Sequence, residues 1–347
     1  MKKVLFILKK RDDYTQDPSY SEQGLSTGLI NSSLFVNKML NESWIESKVV
    51  TVIDNNCINK EVTSYKPTHV IIEALWVTPE KFYELVKLHP LVKWIVRLHS
   101  DIPFLSNEGI AIEWILDYTL IRNVYVAVNS LKILKELKHI FKAYGYSDCK
   151  HDKLLYLPNY YDVGDYTITD NEDSDIVHVA CFGAIRPLKN QLIQAVAAII
   201  FANKIKKKLY FHVNTGRIEM NGNPILSNLE SLFDKLKYNG HRLIKHEWAN
   251  HFEFIKIIKT MDIGMQVSFS ETFNIVSADM VSNGVPIVVS KEIPWAIVGT
   301  AEPTNSEEIA KKLHSTWRMK NFNVFINRNA LKRYVEKSKN IWLSMFH

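Results

Sequence analysis

Short continuous runs of aliphatic residues alternate with amphipathic stretches along most of the chain. VLFIL (4–8) is the first run, and GLINSSLFVNKMLNE follows with its apolar positions at helical spacing. SKVVTVID, HVIIEAL, the helical TPEKFYELVKLHP, KWIVRLHS, VYVAVNS, the basic amphipathic LKILKELKHIFKAYG and KLLYLPNYY complete the first half. Aliphatic runs without polar alternation predict strands buried on both faces. Helices between them predict a parallel sheet covered on both sides.

Between 162 and 176 the text turns acidic and unpatterned, DVGDYTITDNEDSDI, and predicts a linker. The alternation then restarts with VHVACFG, NQLIQAVAAIIFANKI, KLYFHVNTG, NLESLFDKLK, HRLIKHEWA, HFEFIKIIKTM, DIGMQVS and PIVVS. The tail INRNALKRYVEKSKNIWLSMF predicts one long amphipathic helix. The expected fold class is α/β: two doubly wound Rossmann-like domains facing a cleft, at 1–165 and 176–320, with a C-terminal helix at 321–347 packing back. The length of 347 residues agrees, being more than one core usually serves.

Composition narrows the function. A hydrophobic share of 46% and a charged share of 23% are those of an ordinary globular protein. No apolar run reaches the roughly 18 residues of a membrane-spanning helix, and VLFIL is too short for a secretory signal. A cytoplasmic protein is expected. Cys57, Cys149 and Cys181 are far apart and form no CxxC pair, which predicts reduced, structural thiols. The net charge of +6 suits an anionic partner, whether nucleotide, nucleic acid or acidic membrane surface.

In doubly wound sheets ligands sit at the carboxyl ends of strands. Two such ends carry candidate chemistry. In VACFGAIRPLKNQ, Gly183 lets the chain turn, and Arg186 and Lys189 bring cations to a helix start. That combination suits a diphosphate, and equally suits a helix-entry loop with solvated charges. In SETFNIVSADMVSNGVPIVVS, Glu271 sits in a loop and Asp279 two turns into a helix expected over TFNIVSADMVSN. Eight residues at helical rise span about 12 Å and rotate by about 80°. Two acceptors so placed can hold hydroxyls on one extended ligand, while the N–H groups of Phe273, Asn274 and Ile275 face an anion between them. A sugar joined to a ribose through a diphosphate has that layout. The alternative is an acid favoured by the helix dipole plus an exposed Asp.

The run MDIGMQVSFSETFNIVSADMVSNGVPIVVS resembles the E-x7-E segment of the family-four retaining glycosyltransferases of GT-B fold. FGAIRPLKN resembles their phosphate loop, and LLYLPNYY the segment closing their first domain. Three departures stand out: the second acid is Asp279, Asn283 precedes the glycine, and Arg186 lies two places later than the common arginine. The resemblance implies that Glu271 contacts the donor sugar, Asp279 the ribose, and Lys189 with Arg186 the diphosphate. It makes Gly24, in SYSEQGLSTGLINSS, part of a flexible loop against that diphosphate. His99, ending KWIVRLHS, resembles the family histidine near the reacting sugar carbon, with Asp101 and Glu108 close in sequence.

The implied activity is transfer of a hexosyl or pentosyl group from a nucleotide sugar to a hydroxyl, with retention and without a cofactor or metal. Helix amides and the cations of Lys189 and Arg186 would replace the divalent ion. The basic charge and the Lys-, Asn- and Ile-rich wording suggest a hydroxymethylated base in phage DNA as acceptor. A soluble or lipid-linked saccharide is the other acceptor. An epimerase acting on a nucleotide sugar and a non-catalytic binding module share the fold and remain as alternatives. HEWANHF spaces its histidines five apart, unlike the zinc motif HExxH. KIKKK reads as a solvated helix end. P-loop and G-x-S-x-G motifs are absent from the sequence.

Overall fold

The computed structural model describes residues 2–10, 28–146, 152–166 and 175–346. Gly24 and Cys149 lie outside the described residues. The chain divides into two compact units, Met1–Asp162 with Val335–His347, and Val163–Tyr334.

The first unit is built on β1 (Lys3–Lys9), β2 (Glu46–Val52), β3 (His69–Glu73), β4 (Lys93–Leu98), β5 (Val124–Val128) and β6 (Leu154–Tyr156). All pair in parallel in the order β2-β1-β3-β4-β5-β6. The run VLFIL shows why the strands lack polar alternation. Leu5 and Ile7 join one core with Phe82, Trp94 and Phe141, while Val4, Phe6 and Leu8 point the other way, into a core with Trp342. Successive strand side chains face opposite sides, so a sheet covered twice needs apolar residues at every position.

The helices of this unit are α1 (Gly28–Glu42), α2 (Ile58–Tyr65), α3 (Pro79–Leu88), α4 (Ile102–Leu105), α5 (Ala111–Leu120) and α6 (Leu131–Ala143). Of these, α2, α4 and α5 were not separated by the sequence pattern.

The second unit is built on β7 (Ile176–Ala180), β8 (Lys208–Asn214), β9 (Arg242–His246), β10 (Ile263–Gln266), β11 (Ile287–Ser290) and the two-residue β12 (Thr300–Ala301). Its order is β12-β11-β10-β7-β8-β9, again parallel throughout. Its helices are α7 (Gln191–Lys204), α8 (Asn223–Leu236), α9 (His251–Ile258), α10 (Ile275–Ser282) and α11 (Ser306–Arg318). One strand glycine positions the site. A Cβ on Gly264 would fall 2.0 Å from Met280 Sδ, so the buried Met280 side chain of α10 fills the space that this glycine leaves over β10.

Helix α10 is shorter than the expected run 272–283. Asn274 takes the left-handed conformation at φ 61° and caps Ser277 N with its side chain, so the helix starts only after it.

The last helix, α12 (Lys320–Ser344), is continuous through the division at Tyr334 and Val335. Its end buries Trp342 against Phe6, with ring centroids 6.1 Å apart, and Trp342 Nε1 donates to Pro158 O at 2.8 Å. The C-terminal segment is therefore an integral part of the first unit's core. Among the described residues no helix is long and apolar enough to cross a membrane.

Candidate active site

In the second unit β7 and β10 are neighbours, yet α7 leads from β7 toward β8 and α10 leads from β10 toward β11. The chain thus departs in opposite directions from adjacent strand ends, the topological switch point of a doubly wound sheet. The loops 181–190 and 267–274 meet there.

Four buried amide side chains stitch these loops together. Gln266 Nε2 donates to Phe182 O at 2.7 Å, and Gln266 Oε1 accepts from Asn274 Nδ2 at 2.9 Å. Gln194 Oε1 accepts from Val267 N at 2.8 Å, and its Nε2 donates to Lys189 O at 2.7 Å. Asn190 Nδ2 donates to Val267 O and Pro303 O. Buried polar groups that satisfy one another fix a loop firmly, because breaking one leaves its partner desolvated and unpaired.

On this frame Lys189 Nζ lies 2.5 Å from Glu271 Oε1, with side-chain exposures of 14% and 8%. Asn274 Nδ2 donates to the same oxygen at 2.9 Å. Burial pushes the Glu271 carboxyl up, but Lys189 and then Arg186 outweigh it and hold the group below its usual range. Glu271 is therefore a carboxylate at neutral pH.

Beside it, the backbone N–H groups of Phe273, Asn274 and Ile275 donate to no protein group among the described residues. The Phe273 ring packs against Trp295 and Tyr334, and its carbonyl accepts from Trp295 Nε1. Phe273 therefore offers its backbone alone. Three amides at a helix start that meet no acceptor among the described residues, beside a lysine, are an arrangement able to receive an anion.

Gly183 adopts φ +113°, and a Cβ there would meet nothing within 4 Å, so the turn borders open space. Its N–H is already held by Asn214 Oδ1 at 2.9 Å, leaving it a shaping role. Arg186 Nη1 pairs with Glu219 Oε2 at 3.2 Å. Arg217 Nε donates to the other oxygen of Glu219 at 2.6 Å, and the Arg217 guanidinium lies 5.5 Å from the Trp248 ring centre. A Cβ on Gly216 would fall 2.6 Å from Trp248 N, so the loops after β8 and β9 touch at that glycine.

Asp279 is not the open acceptor that the spacing suggested. Its side chain is 2% exposed, and Oδ1 lies 2.8 Å from His251 Nε2, the ring itself being 26% exposed. Sequence reasoning missed His251, as well as Asn190, Gln194, Asn214, Glu219 and Gln266.

The first unit presents its own cluster at the carboxyl end of β4. His99 Nε2 lies 2.5 Å from Glu73 Oε2, and Arg97 Nη1 lies 3.1 Å from Glu73 Oε1. Burial pushes Glu73 up, but Arg97 and His99 outweigh it and keep the carboxyl below its usual range. Burial, then Arg97, pull His99 down. A neutral His99 donating from Nε2 to an ionised Glu73 satisfies both directions, which fixes the tautomer. Asp101 caps α4 through Ile102 N and pairs with Lys132 at 3.0 Å, which identifies it as a structural residue. Glu108 lies on the surface beyond α4. Cys181 is buried and its thiol is pushed up to about 12, which suits an inert core residue.

No protein-family model matches the sequence, and no curated protein is similar to it. Solved structures are similar in fold. Sucrose-phosphate synthase from Thermosynechococcus elongatus superposes with a TM-score of 0.68 at 13% identity, over 99% of this chain and 97% of that one. HepE from Anabaena, in complex with UDP and glucose, gives 0.60 at 16% identity over 100% and 99%. S. aureus TarM, in complex with Fondaparinux, alpha-GlcNAc-glycerol and UDP, gives 0.59 at 13% identity. Against TarM the match covers 80% of this chain and only 55% of that one. The chain has the GT-B fold. Within that fold, the switch point of the second unit is where the helix start at Asn274 and the Lys189–Glu271 pair lie.

Proposed function

We propose that this GT-B protein is a retaining glycosyltransferase that uses a nucleoside-diphosphate sugar. The observation that carries the reading is the group of three open amides at Phe273, Asn274 and Ile275, set beside Lys189 and Glu271 at the switch point. Two of the solved structures similar in fold, those of TarM and HepE, are complexes with UDP. In the proposed complex the amides and Lys189 take the diphosphate, and Glu271 accepts hydrogen bonds from the sugar hydroxyls. Arg186, tied to Glu219, strengthens the positive potential. The Asp279 region faces the ribose.

The Lys189–Glu271 contact then acts as a placeholder. Without ligand each group neutralises the other, and with ligand each exchanges that contact for a partner of its own. Chemically, the bond from sugar C1 to the diphosphate oxygen breaks and a bond from the acceptor oxygen to C1 forms on the same face. The acceptor proton passes to the departing phosphate oxygen. Fixed donors stabilise the charge developing there, and no protein nucleophile takes part. For neutral His99, oriented by Glu73, the sequence resemblance supports a role near the reacting sugar carbon.

For the acceptor we propose a hydroxymethylated base in DNA, a choice that rests on the net charge of +6 and the Lys-, Asn- and Ile-rich composition. The deciding experiment measures release of nucleoside diphosphate from a panel of nucleotide sugars. Each is offered hydroxymethylated DNA, plain DNA, saccharide acceptors or no acceptor. Release that requires hydroxymethylated DNA supports donor and acceptor together. Release with saccharides supports the donor and replaces the acceptor. Turnover of donor without any acceptor points to hydrolysis or epimerisation, and absence of release throughout overturns the reading.

A further inference from the structure

Asp279 reaches His251 and is almost closed to solvent, and this pairing changes which residue a ligand meets. Asp279 lies one helical turn beyond Ile275 on the same face of α10, at a rise of about 6 Å. That is close to the reach from a nucleotide's phosphate to its ribose hydroxyls. At that place the accessible polar group is the imidazole of His251, 26% exposed, lying over an aspartate that is 2% exposed. His251 is the first residue of α9, whose start is held by Asn250 Oδ1 accepting from Glu253 N at 2.9 Å. It therefore enters from the carboxyl edge of β9, the edge on which ligands of this fold class bind.

We infer that His251 is the residue that contacts the donor ribose, with Asp279 as the positioning residue behind it. This inference rests on the proposed use of a nucleoside-diphosphate sugar. Glutamate at position 279 would carry its carboxyl one methylene further. Aspartate stops short, and the imidazole bridges the difference. With Nε2 held by Asp279, the ring addresses a ligand through Nδ1. A hydroxyl both donates and accepts, so a ribose hydroxyl can replace a single partner of either kind at that nitrogen. Asp279 thereby sets the orientation of the ring, as carboxylates do for histidines that must face a fixed target. Consistent with this coupling, burial pulls the pKa of His251 down, but the hydrogen bond and the charge of Asp279 outweigh it and leave it raised.

The test compares binding of UDP, ADP and GDP with binding of their 2′-deoxy and 3′-deoxy counterparts by titration calorimetry, on the full chain. The wild type is expected to bind at least one ribonucleotide about tenfold more tightly than one of its deoxy forms. His251→Ala should bring the two affinities within about twofold, at the weaker level. His251→Gln keeps a donor and an acceptor near the ring position and should retain part of the preference. Asp279→Asn should give an intermediate preference with the ring still present. Thermal melting of each variant checks folding, and His251→Gln, which keeps a donor for the buried Asp279, separates loss of the ribose contact from loss of stability.

A preference unchanged in His251→Ala overturns the inference, as does an equal loss of affinity for ribose and deoxyribose forms, which marks a structural role. Absence of preference in the wild type also overturns it while leaving the donor reading intact. Failure of the wild type to bind any of the three ribonucleotides overturns both.

Discussion

Each unit places a carboxylate–cation pair at the carboxyl edge of its sheet, and the two pairs differ in how completely they are satisfied. In the first unit every guanidinium nitrogen of Arg97 is engaged: Nε by Leu157 O, Nη1 by Glu73, Nη2 by Pro158 O and Asn159 Oδ1. Arg97 and Glu73 are wholly buried, and His99 is the one member with some exposure, at 15%. In the second unit Lys189 and Glu271 keep slight exposure and stand beside three unpartnered amides. The saturated Arg97–Glu73 pair is closed to ligands and holds the chain, here joining β3 and β4 to the segment 157–159 and leaving only the His99 ring within reach of one. A cluster with donors left over is open to an anion. The number of unmet hydrogen bonds, and not the presence of charge, separates scaffold from site.

The largest effect expected from this contrast is on the closed cluster. Arg97→Ala leaves Glu73 buried without its guanidinium and should cost about 3–5 kcal/mol in urea unfolding. A loss below about 1 kcal/mol would mean that water or His99 compensates, and the closed cluster would no longer contrast with the open one. Next comes Glu271→Gln, which keeps the shape and removes the charge. Turnover should fall by about 10²–10³, while the melting temperature should drop less than in Arg97→Ala because Lys189 keeps some exposure. Wild-type turnover in that variant would remove Glu271 from the proposed machinery.

Lys189→Met should weaken nucleoside-diphosphate binding by about tenfold to a hundredfold, read by calorimetry, since a charge-assisted contact is lost. The same substitution should shift the acid limb of stability. In the wild type the Glu271 carboxyl is held below its ordinary value of 4.5, so its contribution is present above that pH and lost as pH falls through the folded value. Without Lys189 the depression shrinks and the contribution with it.

The smallest effect concerns a feature of the second unit outside the site. His178, His212 and His246 form a chain across β7, β8 and β9, with ring nitrogens 2.9 and 2.8 Å apart. Burial, then His246 and His178, push His212 down to about 3 from 6.5. The folded state keeps His212 neutral, while the unfolded chain takes up a proton below 6.5. Its stabilisation is thus complete above that pH and declines as pH falls toward 3. His212→Asn should flatten the stability slope between about pH 6 and 4 by about 1.4 kcal/mol per pH unit. His69 in the first unit, pushed down to about 4 by burial, should go on contributing its own slope in that variant. An unchanged slope would show that His212 is not neutral in the folded chain.

Much of the fold was legible because buried strands leave a strong mark. VLFIL is apolar at every position, and HVIIE and IVVS are apolar except at their ends, as a twice-covered sheet requires. What escaped had weaker or overlooked marks. Helix α5, AIEWILDYTL, is mostly apolar, with only Glu113 and Asp117 to mark its outer face. Helix α11 did carry a start signal, since Asn305 Oδ1 accepts from Glu308 N and Glu308 Oε1 accepts from Glu302 N. At the candidate site Lys189 and Glu271 could be placed in strand-end loops from the sequence, whereas the helix was expected from Thr272 and starts only after Asn274. The lengths of the loops could not say which strand ends would be neighbours.

The sequence by itself determined the alternation of elements, the parallel sheets and the polar loops at their carboxyl ends, because these follow from local hydrophobic periodicity and turn chemistry. Tertiary structure alone decided how the polar residues are partnered. Gln266 meets Phe182 across 84 positions, Lys189 meets Glu271 across 82, and His251 covers Asp279 across 28. Such pairings arise from strand order and helix packing, and no local pattern encodes them. They also decide which groups stay open to a ligand, since a donor is available only when the fold has brought it no partner.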